Sequence, residues 1–289
     1  MHQNLKMIKT FNLVLLVLFL SSVSSYSFEQ EIPDPVKINI FTNNAIPKPG
    51  DKIKVGIHFK LDPGWHIYWK NPGDSGLPTK VKHTVPEGFE IKETFYPVPK
   101  TFFREGNILD YGYEDELLLI TDIYVPKDAT SSSFQIKSEA RWVVCREVCI
   151  PGSKELELQF PITKKAVLGV DSFFNVWHSQ FPKKISKDKL PFKYSVQKKF
   201  SDENKLNFIS ITFNWDEEVK DVNIFPNTER SVYLKDIVLK NDKRTSSYSF
   251  SPVIFKKGKN DIEEIEFVIS YKDSDGQIRR IETIINLKG

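Results

Sequence analysis

The sequence predicts an all-β protein made of two antiparallel β-sandwich domains that are joined by a short helical segment. Three observations lead to this fold class. Apolar and polar residues alternate along most of the 289 residues, and a period of two is typical of half-buried strands. Proline, glycine and asparagine separate the alternating segments at the short spacing that favours a sandwich. One segment near the middle of the chain replaces the alternation with a helical pattern.

Residues 1–27 predict a secretory signal peptide. Lys6 and Lys9 precede an unbroken apolar run from Leu13 to Leu20, and mostly small residues follow. The apolar stretch amounts to about ten residues, whereas a membrane-spanning helix needs roughly twenty. We therefore expect export to the periplasm with cleavage in the segment 24–27, the alternative being an uncleaved N-terminal anchor.

The charge balance argues against a nucleic-acid partner. The chain has 41 basic and 38 acidic residues, and loss of Lys6 and Lys9 with the leader leaves 39 and 38, a net charge of about +1. Both signs are scattered, so the sequence offers no electrostatic attraction for nucleic acid or an anionic membrane surface. Roughly 260 remaining residues are enough for two domains that each bury a core.

Residues 28–165 are predicted to form the first sandwich, which carries both cysteines. In DKIKVGIHFKL, Ile53, Val55, Ile57 and Phe59 fall on one face and polar residues on the other. Such alternation predicts a strand with one buried face. The same pattern recurs in VKINIFT (36–42), FEIKETFY (89–96), LLLITDIYV (117–125), SFQIKSEARWVV (133–144) and ELELQFPI (155–162).

The alternation stops after Pro161. In KKAVLGVDSFFNVWHSQFPKK, apolar residues take helical spacing after Asp171, a candidate N-cap, which predicts a helical junction over residues 166–185. Residues 186–289 return to alternation and predict a second, smaller sandwich. Its predicted strands are LNFISITFNW, DVNIFPN, SVYLKDIVL, SYSFSPVIF, EIEFVISY and RRIETIINL.

Both cysteines of the chain, Cys145 and Cys149, lie in RWVVCREVCIPG, residues 141–152. On a straight strand their Cα atoms would be about 13 Å apart, whereas a disulfide needs roughly 4.4–6.8 Å. The chain must therefore turn between them, in a tight loop or short helical turn that ends at Ile150-Pro151-Gly152.

Three roles are open to this pair. As a structural bridge it would close a loop of only about five residues, which is worth on the order of 2 kcal/mol, against nearer 5 for a hundred-residue loop. A pair held in a tight turn is easier to reduce, which suits thiol–disulfide exchange. Zinc is the least favoured role, because there is no second cysteine pair and the five histidines lack ligand spacing. The spacing favours redox function over a structural bridge, and no cofactor is expected.

An aromatic segment, GWHIYWKNPGDSGLPTKV, spans residues 64–81. The aromatic residues are followed by two glycines and two prolines, more turn residues than a plain hairpin requires. One interpretation places the tryptophans in the sandwich core; the other makes the segment functional. The residues concerned are Trp65, His66, Tyr68 and Trp69. His66 fits either interpretation, as a partly buried histidine with its hydrogen bonds made or as a site residue.

A second aromatic segment, YPVPKTFFREGNILDYGYEDE, spans residues 96–116. Its rings flank a loop that contains Arg104, Glu105 and Gly106. The rings are those of Phe102, Phe103, Tyr111 and Tyr113.

Taken together, the three segments resemble a known family. WHIYWKNPGDSGLP, the YP-P…EG…YGYE segment and W-V-V-C-x-x-x-C-I-P-G occur in this order. They look like the N-terminal periplasmic domain of the thiol:disulfide interchange protein DsbD, in particular its longer ScsB-like form. The resemblance covers roughly residues 35–165, and residues 170–289 resemble the second β-domain of the longer form through weaker signals. The best-known members place five residues between the cysteines, whereas this chain has three.

The resemblance implies an immunoglobulin-like sandwich whose cysteine pair carries electrons. The donor would be a membrane-embedded thiol protein of the DsbD/CcdA type, and the acceptors periplasmic thioredoxin-fold proteins, in pathways such as cytochrome c biogenesis. Full-length members continue into a membrane domain and a thioredoxin domain, and residues 1–289 show the pattern of neither. We therefore expect separate partner polypeptides, or else a non-catalytic adaptor in envelope or cytochrome c assembly whose disulfide only holds a loop.

The resemblance also implies an aromatic cap over the dithiol. The matching candidates are Phe102, Phe103 and Tyr111, and further cap or partner-facing candidates are Tyr113, His66 and Tyr68. Cys145 directly follows a predicted strand, so its sulfur is expected near the edge of the core. Cys149 lies past the turn and is expected to be exposed. The family likewise implies that the second cysteine forms the bond to the partner.

Overall fold

The computed structural model describes residues 33–106, 108–129, 133–161, 171–203, 205–228, 231–255 and 261–288. The predicted signal peptide lies outside these ranges. Within them, no helix has the length and apolar character that a bilayer span requires.

The first ten strands form the N-terminal sandwich. Their bounds are β1 (Val36–Thr42), β2 (Lys52–Leu61), β3 (His66–Gly73), β4 (Lys80–Thr84), β5 (Glu90–Phe95), β6 (Lys100–Arg104), β7 (Ile108–Glu114), β8 (Glu116–Tyr124), β9 (Ser133–Cys145) and β10 (Cys149–Pro161). One sheet has the order β1-β2-β8-β5, and the other has the order β10-β9-β3-β7-β6 with β4 also paired to β9. All of these pairings are antiparallel.

The core of the N-terminal sandwich lies between these two sheets. From the four-stranded sheet, Ile57 and Phe59 of β2 are fully buried, and from the six-stranded sheet Ile67 and Trp69 of β3 are fully buried against them. These residues alternate with polar or outward-facing ones, as a strand with one buried face requires. The prediction of an all-β sandwich-type fold is confirmed.

A helix covers the outer face of the four-stranded sheet. It is α1 (Asp171–His178), and its Phe174 and Trp177 pack on Leu118 and Ile120, which are the outward residues of β8. Gly56 of β2 leaves space for this contact, since a Cβ atom there would lie 3.0 Å from the Phe174 ring. The helix therefore buries apolar residues that would otherwise face solvent.

The remaining strands form the C-terminal sandwich. Their bounds are β11 (Lys183–Lys184), β12 (Phe192–Phe200), β13 (Leu206–Trp215), β14 (Lys220–Asn227), β15 (Val232–Asp242), β16 (Thr245–Ile254), β17 (Glu264–Lys272) and β18 (Ile278–Asn286), with a 3-10 turn at Lys187–Lys189. The sheet orders are β11-β18-β17-β14 and β12-β13-β16-β15. The two-residue strand β11 pairs parallel to β18, and the other pairings of these strands are antiparallel.

The two sandwiches share a contact region at the end of β3. Phe225 of β14 and Val268 of β17 join the core cluster that contains Trp69 and Tyr111. Phe225 meets Tyr111 edge-on, with 5.5 Å between ring centroids. The predicted junction over residues 166–185 is described only from residue 171 onward, and the domain limits stay a prediction.

Candidate functional site

A disulfide joins Cys145, the last residue of β9, to Cys149, the first residue of β10, with the Cα atoms 4.1 Å apart. The two residues are opposite each other in the β9–β10 register. Between them the chain reverses in a turn in which the Arg146 N–H donates to the Val148 carbonyl at 3.1 Å. The disulfide therefore closes the tip of a long hairpin.

The two sulfur-bearing residues have opposite environments. Cys145 is fully buried at 0% relative exposure, whereas Cys149 is exposed. Val148 in the turn is 61% exposed, so the surface around Cys149 is partly apolar. Cys149 thus faces solvent, whereas Cys145 is screened by its neighbours.

The turn is braced from one side by an aromatic ring. The Arg146 guanidinium lies 5.1 Å from the centre of the Trp65 ring, a cation–π arrangement that favours this position of the arginine. Trp65 itself is buried in the core. Trp65 is thus a core residue, as one interpretation of residues 64–81 predicts, and it also contacts the turn between the two cysteines.

Cys145 receives a hydrogen bond from the neighbouring strand. β3 pairs with β9 through His66 and Cys145, so the side chains of these residues, and of Tyr68 two positions on, leave the same face of the sheet. The Tyr68 hydroxyl donates to the Cys145 Sγ at 3.1 Å, and Tyr68 is fully buried. A hydroxyl donor at this position stabilises negative charge on the sulfur.

Behind Tyr68 stands a charged pair. Arg104 Nη2 donates to the Tyr68 hydroxyl oxygen at 3.4 Å and forms a salt bridge with Asp110, whose side chain is fully buried. Asp110 also accepts the Ser75 N–H at 2.9 Å and the Ser75 hydroxyl at 3.0 Å. The chain of contacts from Asp110 through Arg104 to Tyr68 ends on Cys145, so a positive charge stands behind the donor to the sulfur.

His66 lies beside the same group. Its ring stacks on Phe102, with centroids 4.8 Å apart, and meets Tyr68 edge-on at 5.3 Å. Burial, and after it the positive charge of Arg104, hold the pKa of His66 below its usual range. His66 is therefore neutral at physiological pH. Its Nε2 atom is buried and makes no hydrogen bond to the described residues.

The structure divides the other aromatic candidates between the two faces of the sheet. Phe102 lies on His66, on the disulfide side. Tyr111 and Tyr113 lie in the core on the opposite face, where Tyr111 packs on Phe225 and the Tyr113 hydroxyl donates to the Pro97 carbonyl at 2.8 Å. Burial raises the pKa of Tyr111 and of Tyr113, so both hydroxyls stay neutral.

Phe103 packs neither on the disulfide side nor in the core. On the edge strand β6 it is 79% exposed. The structure thus brings together Cys145, Cys149, Tyr68, His66 and Phe102, and it does not bring Tyr111, Tyr113 or Phe103 to the disulfide.

Two site residues were not singled out in the sequence, namely Asp110 and Gly76. Asp110 falls on the disulfide side of β7 in ILDYGYE, where a single carboxylate between apolar neighbours was the available signal. Gly76 has a φ of +75°, and a Cβ atom there would lie 2.2 Å from the Tyr68 ring. Only glycine fits such a position, because the backbone and the ring both exclude a side chain.

Within the described residues, no group of three or more His, Cys, Asp or Glu side chains could hold a metal ion.

A β-sandwich that carries one buried and one exposed sulfur across a tight turn belongs to the class of proteins with a surface disulfide open to exchange. Residues 34–161 match the family model of the N-terminal domain of the thiol:disulfide interchange protein DsbD. The resemblance found in the sequence is confirmed for this segment. The family and the Cys145–Cys149 disulfide support a general role in thiol–disulfide exchange.

Solved structures extend the comparison. The N-terminal periplasmic domain of ScsB from Proteus mirabilis is similar with a TM-score of 0.63 and 16% identity, over 88% of this chain and 94% of that chain. The reduced N-terminal domain of DsbD from Neisseria meningitidis matches with a TM-score of 0.28 and 14% identity, over 45% of this chain and 89% of that chain. The likeness to ScsB shows that the two proteins share a fold. No curated protein sequence matches the chain.

Proposed function

We propose that the protein is a periplasmic thiol–disulfide exchange protein that passes electron pairs through Cys145 and Cys149. The donor is a membrane-embedded thiol protein of the DsbD/CcdA type, and the acceptors are thioredoxin-fold proteins. The observation that carries the proposal is the asymmetry of the disulfide, with Cys149 exposed and Cys145 buried under a hydrogen bond from Tyr68. The predicted signal peptide and the family match of residues 34–161 support the location.

Reduction begins at the exposed sulfur. A donor thiolate attacks the Cys149 Sγ, and the bond between the two sulfurs breaks. Its electron pair moves to the Cys145 Sγ, which leaves as a thiolate, while Cys149 is joined to the donor in a mixed disulfide. The second donor thiolate attacks the donor sulfur of that bond, so Cys149 is released as a thiolate and the donor is left oxidised.

Transfer to the acceptor runs in the opposite sense. The Cys149 thiolate attacks the acceptor disulfide, and one acceptor sulfur leaves as a thiolate. The Cys145 thiolate then attacks the Cys149 Sγ, which restores the intramolecular disulfide and releases the acceptor with both sulfurs reduced. Two electrons pass from the protein to the acceptor, and no other oxidant or reductant takes part.

The surroundings of Cys145 suit the role of leaving group. Burial alone would raise the pKa of a thiol and disfavour the thiolate. The Tyr68 hydroxyl, backed by the positive charge of Arg104, opposes that effect. Since a thiol with a lower pKa leaves faster, these two residues favour cleavage of the disulfide when Cys149 is attacked.

Trapping of a mixed disulfide tests the proposal. The probe is a purified periplasmic thioredoxin-fold protein whose resolving cysteine is replaced by serine and whose remaining cysteine is joined to thionitrobenzoate in a mixed disulfide. Attack by a free thiolate on the protein sulfur of that disulfide then releases thionitrobenzoate, so the covalent complex forms by exchange without an added oxidant. We expect Cys145→Ser to form a covalent complex with it through Cys149, and Cys149→Ser to form little, because its remaining sulfur is buried. The double serine variant is the control.

The outcomes separate the alternatives. Preferential trapping through Cys145 would reverse the assignment of the two sulfurs. No trapping by either variant, together with a reduction potential near or below the roughly −300 mV of inert structural disulfides, would reject the exchange proposal in favour of an adaptor with a structural disulfide.

A further inference from the structure

The C-terminal sandwich holds a segment that lies next to Tyr68, the residue that donates a hydrogen bond to the Cys145 sulfur. This segment, called the strap here, comprises residues 70–76, at the end of β3 and in the turn after it. The Lys70 ammonium donates to Glu266 at 2.8 Å and to Glu282 at 3.0 Å. Burial opposes the charge on Lys70, but its hydrogen bond to Glu266 and the charge of Glu282 outweigh that effect and raise the pKa of the ammonium. This anchor therefore persists at physiological pH.

Two further anchors follow along the strap. The Asn71 side-chain amide donates to the Pro226 carbonyl at 2.7 Å. The Tyr233 hydroxyl donates to the Asp74 carboxylate at 2.5 Å. All three anchors come from the C-terminal sandwich, so the strap is held from outside the sandwich that carries the cysteines.

The far end of the strap covers the polar group behind Cys145. Ser75 donates through both its N–H and its hydroxyl to Asp110, and Arg104 donates to the Ser75 hydroxyl. Gly76 lies against the face of the Tyr68 ring. The strap thus excludes water from the side of Tyr68 that faces away from the sheet.

Just before the strap, β3 is also held by an aromatic contact with the C-terminal sandwich. Successive strand residues point to opposite faces, so Tyr68 points to the disulfide while Trp69 points into the core. The Trp69 ring meets Phe225 of the C-terminal sandwich with 6.2 Å between centroids. The backbone that positions Tyr68 is therefore fixed by the C-terminal sandwich through both the strap and the core.

We propose that the C-terminal sandwich is a positioning element of the redox site, which holds the strap over Tyr68 and so keeps the tyrosine hydroxyl on the Cys145 sulfur. The inference rests on the proposed function, because it concerns the same disulfide. Tyr68 and Asp110 are fully buried and the Arg104 side chain is 31% exposed, so the hydroxyl and the charge of Arg104 act on the sulfur more strongly than they would in full contact with solvent. When the strap is released, water competes for both groups and the Cys145 thiolate loses stabilisation.

Removal of single anchors tests the inference in the full chain. In a Cys149→Ser background, the ionisation of Cys145 is followed by the ultraviolet absorbance of its thiolate. We expect Tyr233→Phe, and separately Asn71→Ala, to lower the acid dissociation constant of Cys145 about threefold, since one peripheral hydrogen bond is lost. In the chain with both cysteines, the same changes should slow reduction by dithiothreitol. Tyr194→Phe is the matched control, because its hydroxyl accepts a hydrogen bond from Asn286 inside the C-terminal sandwich; it should change neither quantity.

Tyr68→Phe removes the hydroxyl itself and should have the largest effect, a decrease of about tenfold in the acid dissociation constant of Cys145. If Tyr68→Phe leaves the constant unchanged, the hydroxyl does not act on the sulfur and the inference fails. If both anchor variants lower the melting temperature but leave the Cys145 constant and the reduction rate at wild-type values, the contacts are only structural and the inference is overturned. Failure of the mixed-disulfide experiment would instead reject the exchange proposal, and the response of Cys145 to the strap would still be measured.

Discussion

The two sandwiches arise from the same alternating pattern but bury different residues. The C-terminal sandwich has one continuous apolar core that runs from Phe192 to Leu287. The N-terminal sandwich has its apolar core divided into separate clusters, and its buried polar groups include His66 and Asp110 near the disulfide and His83 between the sheets. The buried carboxylates of the C-terminal sandwich, Asp273 and Glu282, are paired with Arg279 and Lys70. The buried polar groups of the N-terminal sandwich thus include those around the disulfide, whereas Glu282 of the C-terminal sandwich holds the strap through Lys70.

His83 shows that this difference extends beyond the disulfide. It lies between the two N-terminal sheets, where Nδ1 contacts the Ser138 hydroxyl at 2.8 Å and Nε2 contacts the Thr121 hydroxyl at 2.9 Å. Burial lowers the pKa of His83 to about 4, so the ring is neutral in the folded protein. The N-terminal sandwich thus depends on a group that acid can charge.

The largest effect is expected from a cavity in the continuous core. Phe250 is fully buried there, and Phe250→Ala should lower the free energy of unfolding by about 3–5 kcal/mol, measured by denaturant unfolding. The control is Phe255→Ala, since Phe255 is 70% exposed, and it should have little effect. A loss below about 1 kcal/mol for Phe250→Ala would break the comparison, because the C-terminal core would then not be the rigid support described.

Acid should act through His83 in the N-terminal sandwich. Its folded-state pKa of about 4 lies below the value of 6.5 for an unperturbed histidine, so the folded state binds fewer protons than the unfolded state between those values. Stability is therefore present above pH 6.5 and is lost as the pH falls toward 4, by about 3 kcal/mol in all. His83→Gln should flatten this part of the curve of unfolding free energy against pH. Identical slopes for the variant and the wild type would contradict the prediction.

A smaller effect should distinguish the cap candidates. Phe102 lies on the His66 that pairs with Cys145. Phe102→Ala should therefore open a second path, to the buried Cys145 sulfur, beside the existing one to Cys149, and speed reduction by dithiothreitol about threefold, because shielded sulfurs exchange slowly. Phe103→Ala is the matched control, and it should leave the rate unchanged since that ring points to solvent. An equal acceleration by both variants would remove the cap role from Phe102.

The smallest effect is expected at the turn itself. Arg146→Gln removes the cation–π contact with Trp65 and should reduce the free energy of unfolding by about 0.5–1 kcal/mol. Glu147→Gln, a change in the same exposed turn, serves as the reference in the same denaturant titration. A loss as large as that of Phe250→Ala would mean that the turn, and not the core, limits stability.

The strands follow from the sequence, but the arrangement of the site does so only in part. Alternation places Ile57 and Phe59 in the core correctly, because their neighbours on β2 include polar residues. On β6 and β7, aromatic rings occupy both faces, so a period of two does not reveal that Phe102 faces the disulfide while Tyr111 faces the core. Where both faces of a strand are covered, alternation of apolar and polar residues does not predict which face points to the core.

Contacts between distant segments cannot be predicted from the alternation of apolar and polar residues. Tyr233 and Asp74 are 159 residues apart in the chain, and each is an ordinary surface residue type in its own segment. Their hydrogen bond depends on how the two sandwiches pack, and so does the position of the strap. The motif residues around Cys145 and Cys149 were visible in the sequence, but the groups that support them were not.

The position of the disulfide at the end of a hairpin has a consequence for the cycle of oxidation and reduction. Beyond Cys145 and Cys149, the pairing of β9 with β10 continues residue by residue to Ser133 and Pro161. Opening the bond between the sulfurs therefore frees only the tip, and the ladder behind it keeps the strands in register. We therefore expect the reduced protein to keep the backbone of the disulfide form, so that a partner would meet the same surface before and after reduction.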